Sequence, residues 1–250
     1  MNNASAFSEP RFLDFSRRSA KPERMDDLSS SEVRLRATLR QFTLINHLFS
    51  GTRAQFCRFL FPDILASGLR RVTILDVGAG GGDFARWCAS FLKRHNVVPK
   101  IICLDYDSRV IDHLRDSCAA FPEIEVVHAS LFQMDAVPGS VDYVVSTHVF
   151  HHFEDARIPQ ALKLLYAKAR RGILVIDLER NPWAYFAFLL FSACFFHGGF
   201  TRYDGLISIR KGFTEEDVRG YSDAAGLNGL IKVRRAAIWH IVFFGIKPKS

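Results

Sequence analysis

The chain has 250 residues, of which 48% are apolar, 13% aromatic and 24% charged, with a net charge of +7; this is the composition of one folded α/β-sized domain and excludes disorder as its main state. Five cysteines (Cys57, Cys88, Cys103, Cys118, Cys194) with no CxxC pair read as reduced thiols of a cytoplasmic protein and argue against zinc. The basic excess lies in residues 1–71 and 200–250, residues 72–199 are slightly acidic, and no run of five like charges occurs, so no nucleic acid is expected as partner, while a peripheral membrane contact of the basic flanks stays open.

Residues 1–30, rich in Ser, Asn, Pro and charge and with no basic head before an apolar core, predict a mobile N-terminal arm without a secretory signal. Residues 31–70 predict a helical cap. Ser29 or Ser30 caps a helix that carries Val33, Leu35, Leu39, Phe42, Ile45, Leu48 and Phe49 on one face; after Gly51 a second helix over 53–66 carries Phe56, Phe59, Leu60 and Ile64. Both precede the first strand and are expected to lie outside the sheet layers.

Residues 71–250 predict the core. Strands at 72–77, 100–106, 124–129, 141–147 and 172–178 alternate with helices near 82–95, 108–119 and 156–170, the pattern of a doubly wound parallel sheet. Apolar runs at 230–236 and 239–247 are too close for a crossover, so they form a hairpin that completes a seven-stranded sheet with an antiparallel last strand.

The loop Asp76-Val77-Gly78-Ala79-Gly80-Gly81-Gly82-Asp83 joins the first strand to its helix. Glycine there admits tight dihedrals and close approach of a ligand to the backbone, at the turn where doubly wound sheets bind nucleotides. Asp83 stands where a dinucleotide fingerprint needs Gly or Ala, and no phosphate-binding Lys follows, so pyrophosphate and P-loop readings lose ground. The second strand ends at Asp105-Tyr106-Asp107, placing a carboxylate for two ribose hydroxyls, with Asp107 as an alternative helix cap. The third ends at Ser130-Leu131 and the fourth at Thr147-His148, followed by His151-His152-Phe153. The three histidines lack companion acidic and cysteine ligands, so no metal is expected.

The Asp76, Gly78, Gly80, Gly82 spacing resembles the first motif of the class I S-adenosylmethionine (SAM)-dependent methyltransferases, and HHF after the fourth strand resembles their fourth motif. The segments ERMDD, INHLFSG, DLERNPWAY, TRYDGLISIRKGFTEEDV and AAGL resemble a bacterial subgroup associated with polyketide and other natural-product pathways. The resemblance implies a Rossmann-like fold and SAM as cofactor, held by Asp76, Gly78, Ala79, Gly80, Asp105, Tyr106, Ser130, Leu131 and Thr147, with Ser130 where the family often has an adenine-binding Asp. That subgroup usually reads TRHDG; here Tyr203 replaces the His.

Residues 182–205 predict an aromatic lid insert. Its uncharged run from Pro182 to Phe196 is shorter than the roughly 20 residues of a membrane span; a buried lid, the wall of an apolar acceptor pocket, an interfacial helix and a homodimer contact are all open readings. Trp183, Phe186, Arg202 and Tyr203 are the expected acceptor-binding residues. A phenol or enol acceptor must lose a proton, and His151 is the first candidate base, ahead of His148 and Tyr203. The expected function is methylation, most simply at oxygen, of a small apolar aromatic or polyketide-like acceptor. The alternatives are a membrane-surface quinone or lipid methyltransferase and a non-catalytic binding protein of the same fold.

Overall fold

The computed structural model describes residues 13–27, 29–45, 51–196, 200–236 and 238–248. Seven strands, β1 (Arg71–Val77), β2 (Val98–Asp105), β3 (Ile124–His128), β4 (Val141–Thr147), β5 (Ala169–Leu178), β6 (Lys232–Ala236) and β7 (His240–Ile246), form one sheet in the order β3-β2-β1-β4-β5-β7-β6. The first five pair in parallel, and β7 runs antiparallel to both β5 and β6, as the spacing of the apolar runs predicts. β4 is buried along all but its last residue, covered on both faces as a central strand of a parallel sheet is. The order reverses between β1 and β4, which opens a crevice at their carboxyl ends.

The helices are α1 (Glu32–Ile45), α2 (Thr52–Phe59), α3 (Phe61–Ser67), α4 (Asp83–Arg94), α5 (Ser108–Cys118), α6 (Ile158–Lys168), α7 (Pro182–Phe195), α8 (Thr201–Lys211) and α9 (Glu215–Ala224). The single helix expected over 53–66 is two, broken at Leu60: Pro62 lies in the first turn of α3 and has no N–H to continue α2. Nor do these two helices stand outside the sheet layers. Phe56, Leu60 and Ile64 pack with Ile74, Tyr143, Leu174 and α4 residues on one sheet face, Phe59 stacks on Phe244 at 4.0 Å, and Asp63 accepts hydrogen bonds from Tyr143 and Arg171. Val33, expected on the apolar face of α1, is exposed, whereas Leu35 and Thr38 are buried; Leu48 and Phe49 lie outside the described residues.

The segment expected to be a mobile arm is, from residue 13 on, tied across the carboxyl end of the sheet. Arg18 donates to the carbonyls of Lys211, His151 and Phe153, Arg180 to that of Phe15, and Arg109 to those of Met25 and Asp27. Asp204 accepts from the N–H groups of Arg24 and Met25. The polar composition that suggested mobility supplies partners for buried arginines and acids elsewhere in the chain. The lid insert divides into α7 and the start of α8, which continues past 205 to Lys211. Among the described residues no helix is long and apolar enough to cross a membrane.

Candidate functional site

A cavity of about 830 Å³ lies at the carboxyl end of the sheet, bounded by the glycine loop, the ends of β2, β3 and β4, the N-terminal segment, α7, α8 and the β6–β7 turn. The loop glycines have separate reasons to be there. Gly78, Gly80 and Gly82 all have positive φ, but a Cβ on Gly78 would fall 2.1 Å from Val149 and one on Gly82 would fall 2.7 Å from Cys118 and Leu114. Only Gly80 faces open space.

Asp105 anchors the next wall. Its Oδ2 accepts from the Gly80 N–H at 3.0 Å and its Oδ1 from the Asp107 N–H at 3.1 Å, which leaves a lone pair on each oxygen for a pair of hydroxyl donors. Asp107 caps α5 through the Arg109 N–H and grips the Arg109 guanidinium. Ala79, Tyr106, Leu131 and Thr147 all line the cavity, as does Ser130, although the Ser130 hydroxyl also caps a 3-10 turn by accepting from the Phe132 N–H. Asp76 is different. It lies behind the loop and off the cavity wall, and both of its buried oxygens lack a hydrogen-bond donor among the described residues. Burial, with Asp105 and Asp83 nearby, pushes its carboxyl up to about 7.

Beyond β4 the three histidines have distinct surroundings. His151 is buried, and its Nδ1 lies 2.6 Å from Asp177 Oδ1 while its backbone N–H donates to Asp177 Oδ2. Burial alone would raise Asp177, but His151 beside it and the Leu178 N–H that donates to it outweigh burial and hold the carboxyl well below the usual range. His148, at positive φ, packs against His240. His152 sits 3.1 Å from Asp26; burial opposes its charge, yet Glu23 and Asp26 prevail and push it up to about 9, which makes it a cation at neutral pH and no base.

Glu23, His151 and His152 present three potential ligand atoms within 4.8 Å of one another. Lys211 Nζ, however, lies 3.2 Å from Glu23 and 3.7 Å from Asp26. With His152 protonated, two acids face two cations, so this cluster is neutralised by ion pairs and does not require a metal ion.

The expected acceptor residues need correction. Trp183 is 74% and Phe186 47% exposed on the outer side of α7, Arg202 is exposed, and Tyr203 lies under the Arg24 guanidinium at 4.3 Å; none of the four lines the cavity. In a helix apolar all round, the sequence cannot say which stripe faces inward. The wall consists of Ala184, Ala187, Phe188 and Phe191 from α7 and Gly205, Ser208 and Ile209 from α8. Glu23, Met25 and Asp26 line it too, and reading 1–30 as an arm hid them. Ile238 and Trp239 also reach the cavity, from a turn where both have positive φ; no Gly or Asn in the sequence signals that turn. The Asp177 partner was visible only as the acid ending a strand.

Residues 74–172 match the family described as Methyltransferase domain. A candidate SAM-dependent methyltransferase of Mycolicibacterium smegmatis is 32% identical over 82 residues, 33% of this chain and 28% of that protein. Residues 74–172 are thus similar to a methyltransferase domain. Its fold is shared with a candidate O-methyltransferase of Nostoc punctiforme (TM-score 0.57, 17% identity, 84% of this chain and 60% of that one). It is shared as well with the plantazolicin methyltransferase BpumL in complex with a pentazolic desmethylPZN analog and S-adenosylhomocysteine (SAH) (0.57, 12%, 71% and 77%). The chain thus spans less than two thirds of the Mycolicibacterium and Nostoc proteins. The Mycolicibacterium relative is described as SAM-dependent, and the residues present here fit that cofactor. Gly80 leaves room against the backbone and Asp105 offers acceptors for a diol; Asp76, behind the loop with its carboxyl pushed up to about 7, is the group that a nearby ammonium would draw into its ionised form.

Proposed function

We propose that this protein transfers a methyl group from SAM to an oxygen of a small, largely apolar aromatic or polyketide-like acceptor. The observation that carries this reading is the buried Asp177–His151 pair, 2.6 Å apart, on a cavity whose one end is the glycine loop and whose other is the apolar wall of α7 and α8. In this reading Gly78 to Gly80 and Asp105 hold the cofactor, with Ala79, Tyr106, Ser130, Leu131 and Thr147 around it and Asp76 acting through the field behind the loop. Bound SAM supplies an electrophilic methyl on a sulfonium.

Asp177 accepts the Nδ1–H of His151 and so leaves Nε2 with the lone pair that takes the acceptor's hydroxyl proton. The α7–α8 wall orients the acceptor for in-line attack at about 3 Å and keeps water out. Incubation with isotopically labelled SAM and a panel of phenols, analysed by mass spectrometry, tests the reading. Labelled ether products support it; tight SAM binding with no transfer to any phenol or to an extract of the native host overturns it in favour of a binding protein.

A second reading has its own observation. Trp183, Phe186, Leu190 and Phe195 form an exposed apolar surface on α7, with Trp183 and Leu190 above 70% exposed, and the opposite side of the helix lines the cavity. A membrane-surface methyltransferase would take an apolar quinone or lipid through such a helix. Flotation with anionic liposomes separates the two: co-flotation lost in Trp183→Ser/Leu190→Ser favours the membrane surface, and no flotation dismisses it.

A further inference from the structure

Gly205 is buried in the interior of α8 at an ordinary helical φ, so the backbone does not require glycine, and glycine weakens a helix relative to alanine. The requirement comes from α7. A Cβ on Gly205 would lie 2.4 Å from Cε1 and 2.5 Å from Cζ of Phe188. The edge of the Phe188 ring therefore occupies the notch that the missing side chain leaves. Both residues line the cavity, and the α7 residues beside Phe188 on that wall, Ala184 and Ala187, are small.

We propose that the Gly205–Phe188 contact sets the size of acceptor this cavity admits, and that the compartment it keeps open takes a flat, fused-ring hydroxyarene. The nature of the acceptor rests on the methyl-transfer reading above; the steric control does not. With its ring parked against α8, Phe188 leaves clear the space between the lid helices and the β6–β7 turn. Any side chain at 205 displaces the ring, because the helices themselves are pinned. Tyr185 of α7 packs edge-on against Phe15 of the N-terminal segment at 5.7 Å, while Asp204 and Thr201 tie α8 to that segment and to Gln41. The open direction for the ring is the cavity. The cofactor end, formed by Gly78 to Gly80 and Asp105, is built from other elements and is not touched.

The test uses the full chain saturated with SAH, as wild type, Gly205→Ala, Phe188→Ala and the double variant. Crystal structures are determined, and 1-naphthol and 1-hydroxypyrene are titrated by their own fluorescence. In Gly205→Ala the Phe188 ring is expected to swing into the cavity. Affinity for 1-hydroxypyrene should fall at least about fivefold, the scale of overpacking effects, with 1-naphthol within about twofold. The double variant should regain 1-hydroxypyrene binding, and SAH affinity should be the same in all four proteins. A ring that stays on α8 while α7 moves away, or equal losses for both arenes, overturns the proposal. If the ring swings inward but the wild type binds neither arene, the contact controls the cavity and the fused-ring acceptor class falls. If naphthol is methylated and every variant keeps the wild-type size preference, the steric inference falls and the methyl-transfer reading stands.

Discussion

His240 Nε2 lies 3.0 Å from His148 Nε2, and His240 Nδ1 lies 2.8 Å from the Ile238 carbonyl oxygen. The carbonyl only accepts, so His240 carries its proton on Nδ1 and offers the Nε2 lone pair, and His148 donates from Nε2. Burial, reinforced by His240, pushes His148 down to about 3. His148 is therefore neutral at neutral pH and has a second imidazole as its direct partner, whereas the direct partner of His151 is the Asp177 carboxylate.

That contrast separates the candidate bases. His151→Ala should lower turnover by roughly 10²–10⁴, the usual worth of general-base assistance, with SAM affinity nearly intact by titration calorimetry. Asp177→Asn should follow it, since an amide does not hold the same tautomer and charge. His148→Gln should cost less than about tenfold. A His148 variant as damaged as the His151 variant would move the base to His148.

Asp105 is engaged by two backbone N–H groups and keeps acceptor capacity toward the cavity. Asp105→Ala removes charged hydrogen bonds worth roughly 1.5–3 kcal/mol each and should weaken SAM binding at least about tenfold. Calorimetry on a variant of unchanged melting temperature checks this; wild-type affinity would remove Asp105 from the cofactor site.

Arg109 fastens the N-terminal segment to α5 by donating to Met25, Asp27 and Ser30 while Asp107 holds its guanidinium. Arg109→Leu should release that strap. Trypsin should then cut after Arg24 faster than in the wild type, and turnover should fall because Glu23 and Asp26 leave the cavity wall. Equal cleavage rates would mean that Arg18, Arg180 and Asp204 hold the strap unaided.

His152 titrates at about 9 in the folded protein against 6.5 ordinarily, facing Glu23, Asp26, Lys211 and His151. A raised histidine pKa stabilises the fold fully below about 6.5, and the contribution is lost as pH rises through about 9. His152→Gln should therefore melt below the wild type at pH 6–7 and approach it at pH 10. Parallel melting curves across that range would show that the ion pair contributes nothing net.

How far the sequence reached depends on the range of the interactions involved. The seven strands, their parallel order up to β5 and the closing hairpin follow from apolar periodicity and the spacing of turns, both local. The glycine loop, Asp105, Ser130 and Thr147, expected around the cofactor on the family resemblance, sit at strand ends that the topology brings to one edge of the sheet, and all line the cavity. Which face of an apolar helix turns inward is not local. α7 has no polar stripe to orient it, so Trp183 and Phe186 looked like pocket residues, and packing against α8 gave that place to Ala184, Ala187, Phe188 and Phe191. Composition likewise suggested a free arm at 1–30. Glu23, Asp26 and the backbone of Met25 instead meet Lys211, His152 and Arg109, residues some 80 to 190 positions away, and buried charges without those partners would cost too much to be left unpaired.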